Sequence, residues 1–137
     1  MRVGRSLFVG LSSRTNADGI AQLRDATGAF EYTVIPIPVA AALHLKSMCS
    51  HVGRGAILLN PAWVDPRHFA AYECIAVDER EPAAANALEL GGTLIVSRSF
   101  ARTRDRLVAR GFTTVDVEVS ELHKAEGGVT CMSILVA

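Results

Sequence analysis

The stretch SLFVGLSSRTNADGIAQLRDATGAFEYTVIPIPV (residues 6–39) predicts a strand, a helix and a second strand in succession. Residues 6–10 are mostly apolar and follow a Gly-Arg turn, which is typical of a strand. Residues 16–26 place apolar side chains on one helical face, with Gly28 as the stop. Residues 32–39 are apolar and β-branched, but their two prolines cannot donate to a ladder, so this strand is expected to lie at a sheet edge or to leave the sheet early.

The rest of the chain continues this alternation and predicts an α/β fold. Further strands are predicted at residues 55–60, 74–77, 92–97, 113–119 and 129–136, the last of them buried. Short helices are predicted at residues 65–72, 102–110 and 120–123. No linker or low-complexity segment interrupts the pattern, so residues 1–137 are interpreted as a single domain. The repetition of strand, helix and strand predicts two or three modules of the same kind.

Composition excludes several classes of function. The 137 residues are half hydrophobic and carry 14 basic and 14 acidic side chains, so neither disorder nor a basic nucleic-acid surface is indicated. No apolar run approaches the roughly 20 residues that span a bilayer, so no membrane partner is expected. The first residues lack the apolar core of a signal peptide, and the cysteine count is odd. Together these features predict a reduced, cytoplasmic protein.

The best candidate for chemistry is Cys131 in the run Gly127-Gly128-Val129-Thr130-Cys131. A thiolate attacks carbon, and a nearby imidazole can accept and return protons, so His44 would be its natural partner. The glycines before Cys131 would let the backbone approach a ligand closely. The alternative for each residue is structural: a lone cysteine in an apolar segment is commonly a buried hydrophobe, and His44 could be a hydrogen-bonded structural histidine.

Other polar residues allow two interpretations each. Arg14 lies between a strand and a helix, where its planar fork could clamp a carboxylate or simply be solvated. The charged run at residues 78–82 is interpreted as a solvated turn. Glu121 and Glu126 flank the last turn, and either could be an acid near Cys131, or an exposed or capping residue.

The remaining cysteines give weak signals. Cys49 and His51 form a Cys-x-His pair with no second pair, which is poor support for zinc, so no metal is expected. The thiols of Cys49 and Cys74 are interpreted as packing groups.

Four motifs, in order along the chain, resemble the dimethylarginine dimethylaminohydrolases of the guanidino-group-modifying, or pentein, superfamily. They are residues 8–16 (FVGLSSRTN), 44–47 (HLKS), 84–86 (AAN) and 120–131 (SELHKAEGGVTC). The resemblance implies a propeller-like α/β ring of ββαβ modules around a pseudo-fivefold axis. It also implies hydrolysis of methylated arginine to citrulline and an alkylamine, with no cofactor. The resemblance covers only the C-terminal half of the family's chain, so the expected fold is a partial pentein propeller, about half of a ring.

The resemblance also assigns roles to residues. Cys131 would attack the guanidinium carbon of a small-molecule guanidino substrate. His44 would protonate the leaving amine and then activate water. Arg14 would hold the substrate α-carboxylate. Arginine deiminases of this superfamily tend to carry His-x-Asp, so Lys46 favours the dimethylarginine branch.

The chain departs from the family where the substrate cation would be bound. The family's acidic Glu-Gly-Gly-Asp motif is expected just upstream of Met1 and is absent, as are the other acids of the N-terminal half. A guanidinium taken out of water needs carboxylate partners. A homodimer, or pairing with the missing N-terminal half, is therefore predicted. Two alternatives stay open: a non-catalytic half-pentein binding or assembly module or truncated gene product, and arginine deiminase or amidinotransferase chemistry.

Overall fold

The computed structural model describes residues 1–40 and 42–136. Within these ranges nine strands form three separate sheets of three strands each. Every sheet has the same plan, in which an antiparallel pair is followed by a crossover and a third strand parallel to the second. The predicted α/β fold and its repeated modules are therefore confirmed, with three ββαβ-like modules in the chain.

The first module contains strands β1 (Arg2–Val3), β2 (Ser6–Leu11) and β3 (Thr33–Pro38), with helix α1 (Ala17–Gly28) as the crossover. Asn16 caps α1, because its side-chain oxygen accepts a 2.9 Å hydrogen bond from the backbone N–H three residues on. Strand β3 lies at the sheet edge, as its prolines predicted.

The second module contains strands β4 (Cys49–His51), β5 (Ala56–Leu59) and β6 (Glu73–Ala76). Its crossover is a single 3₁₀ turn, Pro66–Phe69. Asp65 begins this turn by accepting a backbone hydrogen bond at 2.9 Å. The sequence predicted a helix over residues 65–72. The structure keeps its proline-led first turn and replaces the remainder with a bend into β6.

The third module contains strands β7 (Leu88–Leu90), β8 (Thr93–Ser97) and β9 (Thr113–Val117), with helix α2 (Ala101–Ala109) as the crossover. The one-turn helix α3 (Ser120–His123) follows β9.

The N-terminus of α2 is capped from a distance. Both carboxylate oxygens of Glu81 accept backbone N–H groups at the start of α2, from Arg102 at 3.0 Å and from Thr103 at 2.7 Å. Residues 78–82 are therefore more than the solvated turn that was predicted, because Glu81 supplies acceptors that the helix lacks within its own sequence.

Strand β5 lies between two hydrophobic cores. Ala56 and Leu58 belong to a cluster shared with the third module, whereas Ile57 and Leu59 belong to a cluster shared with the first. Successive side chains of a strand point to opposite faces, so one strand serves both clusters. This double burial explains why residues 56–59 form a continuous apolar run without polar alternation.

The prediction of a buried strand over residues 129–136 is wrong. Val129 is buried, but residues 131–136 are exposed and lie outside every strand; Ile134 and Val136 are both 90% exposed. Apolar composition indicates a preference for burial, but a strand also needs a neighbouring edge to pair with. None of the helices in the described ranges is long and apolar enough to cross a membrane.

Candidate functional site

His44 is placed by the turn that links the first two modules. It precedes a 3₁₀ turn, Leu45–Ser47, and accepts a 3.0 Å hydrogen bond on its carbonyl oxygen from the Ser47 N–H. The side chains of Leu45 and Met48 are buried and anchor this segment in the core. His44 itself is exposed, so the anchored turn presents an imidazole to solvent.

Cys131 is placed by a tight turn after α3. Glu126 adopts a positive φ of 58°, and the Gly127 N–H then donates to the Leu122 carbonyl at 2.9 Å. A Cβ at Gly127 would lie 3.2 Å from that oxygen, so the turn favours glycine for reasons of space. Val129 is buried and anchors the segment, whereas the Cys131 thiol is free and exposed.

The structure brings His44 and Cys131 to one groove, which has a volume of about 1050 Å³. A second hollow, of about 360 Å³, is also lined by both residues. The sequence alone could not place these two side chains together. Their catalytic roles stay predictions, but their common placement is what covalent catalysis by a thiolate and an imidazole requires.

Aromatic and polar side chains complete the groove. They include Ser12, Ser13, Trp63, Phe100, His123 and Glu126. The rings of Phe100 and His123 stack, with centroids 5.2 Å apart and planes 22° apart. Among the groove residues that the structure describes, Glu126 is the only acid. Glu121, the other acidic candidate, is exposed and pairs with Lys124 at 2.7 Å.

The side chain of Asn86 joins the segments that carry His44 and Cys131. Its amide nitrogen donates to the Lys46 carbonyl at 3.1 Å and to the Thr130 hydroxyl at 2.9 Å. Its amide oxygen accepts the Thr130 N–H at 3.1 Å. Sequence analysis gave Asn86 no role. Two signals were available: its place in the AAN motif of the resemblance (residues 84–86), and an amide among alanines at residues 83–87, three of which are buried.

The chain is similar to known enzymes over nearly its whole length. It is 29% identical to N(G),N(G)-dimethylarginine dimethylaminohydrolase of Pseudomonas aeruginosa over 134 residues, which is 98% of this chain and 53% of that enzyme. It is 32% identical to the enzyme of the same name from Streptomyces coelicolor over 136 residues, or 98% of this chain and 51% of that one. No family model matches the sequence.

Solved structures agree with the sequence comparison. One solved structure is a mutant of the Pseudomonas aeruginosa enzyme in complex with citrulline. It superposes on this chain with a TM-score of 0.90 at 28% identity, and the match covers 96% of this chain and 52% of the mutant enzyme. This chain is similar to the dimethylarginine dimethylaminohydrolases over about half of their length. Its modules have the pentein fold, as the resemblance implied. The chain spans about half the length of the curated relatives it matches.

Arg14, the predicted carboxylate clamp, lies beside the groove. It is exposed in the turn between β2 and α1, and its backbone N–H donates to the Ser12 hydroxyl at 3.1 Å. Ser12 and Ser13 line the groove, but Arg14 does not appear among the lining residues. Its binding role therefore stays a prediction.

The other two cysteines of the chain lie away from the groove lining. Cys49 is fully buried, and burial raises the pKa of its thiol to about 12. This burial agrees with the interpretation of Cys49 as a packing residue. Cys74 is exposed on β6, so the same interpretation is wrong for it.

Partial burial lowers the pKa of His51. The described residues contain no cluster of three metal-ligating side chains there or elsewhere.

Proposed function

We propose that this chain supplies the Cys/His machinery of a dimethylaminohydrolase, which hydrolyses Nω-methylated arginine to citrulline and an alkylamine. The observation that carries the proposal is that Cys131 and His44 line one groove in a chain similar to these enzymes. Further support comes from the related enzyme whose structure is a citrulline complex, because citrulline is the expected product.

The reaction would proceed in two steps through the thiol. The Cys131 thiolate attacks the guanidinium carbon, and a C–S bond forms. The C–N bond to the methylated nitrogen then breaks as His44 protonates the departing amine, which leaves a thiouronium adduct. In the second step His44 takes a proton from water, the oxygen attacks the same carbon, and the C–S bond breaks. This step returns the thiolate, and release of the remaining hydroxyl proton to solvent leaves the neutral ureido group of citrulline. No cofactor is needed for either step.

A second chain would complete the substrate site. A buried guanidinium needs carboxylate partners, and Glu126 is the only acid among the described groove residues. Arg14, close to the groove through Ser12, would meet the substrate α-carboxylate. The additional acids would come from a second copy of this chain or from a separate chain that corresponds to the remaining half of its relatives.

The first test is citrulline formation from asymmetric dimethylarginine by the purified chain, beside a Cys131→Ser variant. We expect citrulline and dimethylamine from the wild type and neither from the variant, because serine is a far weaker nucleophile at this carbon. Ammonia and citrulline from unmethylated arginine would instead indicate deiminase chemistry.

The second candidate function is a non-catalytic binding or assembly module, and the scarcity of acids in the groove favours it. The same assay separates the two. A well-folded wild type that forms no citrulline, alone or after mixing with the N-terminal half of a relative, would support the module and rule out the hydrolase.

A further inference from the structure

Asn86 uses its whole side-chain amide to connect two segments of the groove. Both of its N–H groups donate, one to the Lys46 carbonyl and one to the Thr130 hydroxyl, and its oxygen accepts the Thr130 N–H. Lys46 is two residues from His44, and Thr130 is adjacent to Cys131. A single planar group therefore fixes the backbone on both sides of the groove.

Gly128 provides the space for this contact. A Cβ built at Gly128 would lie 2.6 Å from both the Cγ and the Oδ1 atoms of Asn86, a distance that real Cβ atoms essentially never show. The φ of Gly128 lies outside the left-handed region, so its backbone conformation would suit alanine. The requirement for glycine is therefore steric, and it arises from the Asn86 side chain.

The base of Asn86 is rigid. The flanking residues Ala85 and Ala87 are buried, and the Ala87 N–H donates to the Ser50 hydroxyl on β4 at 3.1 Å. The amide is thus held by the second module and reaches outward to both catalytic segments. An amide carried on a flexible loop could not define the separation of two side chains in this way.

We propose that Asn86 is a positioning residue that sets the separation of the His44 and Cys131 segments. This inference rests on the proposed function. Thiol attack and proton transfer need near-contact geometry, and a displacement of about 1 Å can cost on the order of a hundredfold in rate. Loss of the Asn86 hydrogen bonds should therefore lower the reaction rate of the Cys131 thiol. This fall should exceed any fall that results from lower stability of the fold.

The test compares thiol alkylation in the wild type with that in Asn86→Ala, Gly128→Ala and the double variant. The probes are chloroacetamidine, a cation that resembles a guanidinium, and neutral iodoacetamide; the exposed Cys74 is the internal reference. The Cys131-to-Cys74 rate ratio with chloroacetamidine should fall at least about tenfold in each single variant. The double variant should have a rate ratio no lower than that of Asn86→Ala, because removal of the amide makes room for the Cβ added in Gly128→Ala.

Asn60→Ala is the matched control for general destabilisation. The Asn60 side chain is buried and also makes two backbone hydrogen bonds, to the Pro82 carbonyl and from the Ala62 N–H, each 2.9 Å long. It does not line the groove. This variant should lower the melting temperature and leave the Cys131-to-Cys74 ratio unchanged. If the Cys131-to-Cys74 rate ratio falls as much in Asn60→Ala as in Asn86→Ala, the positioning role of Asn86 is overturned.

A second measurement separates this inference from the proposed function. In amide NMR spectra, Asn86→Ala should accelerate hydrogen exchange at the Thr130 N–H and shift the signals of Ser47 and Cys131 together. If wild-type Cys131 shows no preference for the cationic probe, alone or after mixing with the N-terminal half of a relative, the proposed function fails and these spectra decide the positioning role alone. If the preference exists but Asn86→Ala retains both the ratio and the Thr130 protection, the inference fails and the proposed function stands.

Discussion

At the scale of single residues, surroundings give the cysteines different chemistry. Cys49 is enclosed by the core, and burial raises the pKa of its thiol to about 12. Cys131 is exposed at the end of an anchored turn and lines the same groove as the His44 imidazole. Residue type alone therefore cannot assign reactivity, because a thiol that stays protonated is a poor nucleophile.

The raised pKa of Cys49 predicts a stability change in alkaline solution. The folded state binds this proton more tightly, so the stabilisation is complete below pH 9 and is lost as the pH rises from about 9 through about 12. We expect the free energy of unfolding of the wild type, minus that of Cys49→Ala, to shrink over this range. Urea titrations of both proteins at neutral and alkaline pH measure it. A difference that stays constant with pH would contradict the prediction.

The sequence proposed Cys131 and His44 as site residues but gave no role to Asn86, which connects their segments. Cys131 and His44 could be proposed because thiols and imidazoles carry chemistry wherever they occur. Asn86 makes its contacts with residues 40 and 44 positions away, and an amide has no chemistry that marks it in advance. The place of a hydrogen-bonding residue in a site depends on distances that only the fold supplies.

At the scale of elements, the central strand of each sheet was predictable and its antiparallel partner was not. Strands β2, β5 and β8 each coincide with a run of four to six mostly apolar residues. Their antiparallel partners β1, β4 and β7 have only two or three residues, which is too few for any periodicity to appear. These partners exist because the edge of a longer strand is available to pair with them.

The cap of α2 gives a prediction for one helix. Glu81→Ala removes both acceptors from the first turn, where Phe100 at the cap position provides no side-chain hydrogen bond. We expect a loss of about 1 kcal/mol in the free energy of unfolding, the usual cost of a lost cap. Glu81→Gln should recover part of it, because its amide keeps one oxygen acceptor. Chemical denaturation of each variant measures the effect.

Glu79→Ala is the control for charge. It removes the same charge from an exposed position two residues away in the same loop. Its effect on stability should be near zero. If the Glu79 and Glu81 variants lose equal stability, the cost comes from loop charge and the cap is unimportant.

At the scale of the whole molecule, the chain leaves apolar surface uncovered. Phe30, Leu90, Val108 and Val115 are each at least half exposed, and the apolar residues between Met132 and Val136 add to this surface. Exposed apolar surface and open sheet edges favour association. We expect another chain to cover this surface.

We therefore expect the purified chain to self-associate at micromolar concentration. Sedimentation velocity across a dilution series should show a dimer or larger species that dissociates as the concentration falls. Replacement of Ile134 and Val136, both 90% exposed, by serine should weaken the association without affecting the melting temperature of the monomer. A monodisperse wild-type monomer at these concentrations would exclude the homodimer. A separate N-terminal chain would then be the partner to test.

The double burial of β5 has a consequence for how this sequence can change. Its even-numbered residues serve one core and its odd-numbered residues serve the other. Deletion of a single residue from the strand would reverse that assignment, so both cores would receive side chains of the wrong size at once. Both cores therefore constrain the register of residues 56–59. Single substitutions can be tolerated in this strand, but insertions and deletions cannot.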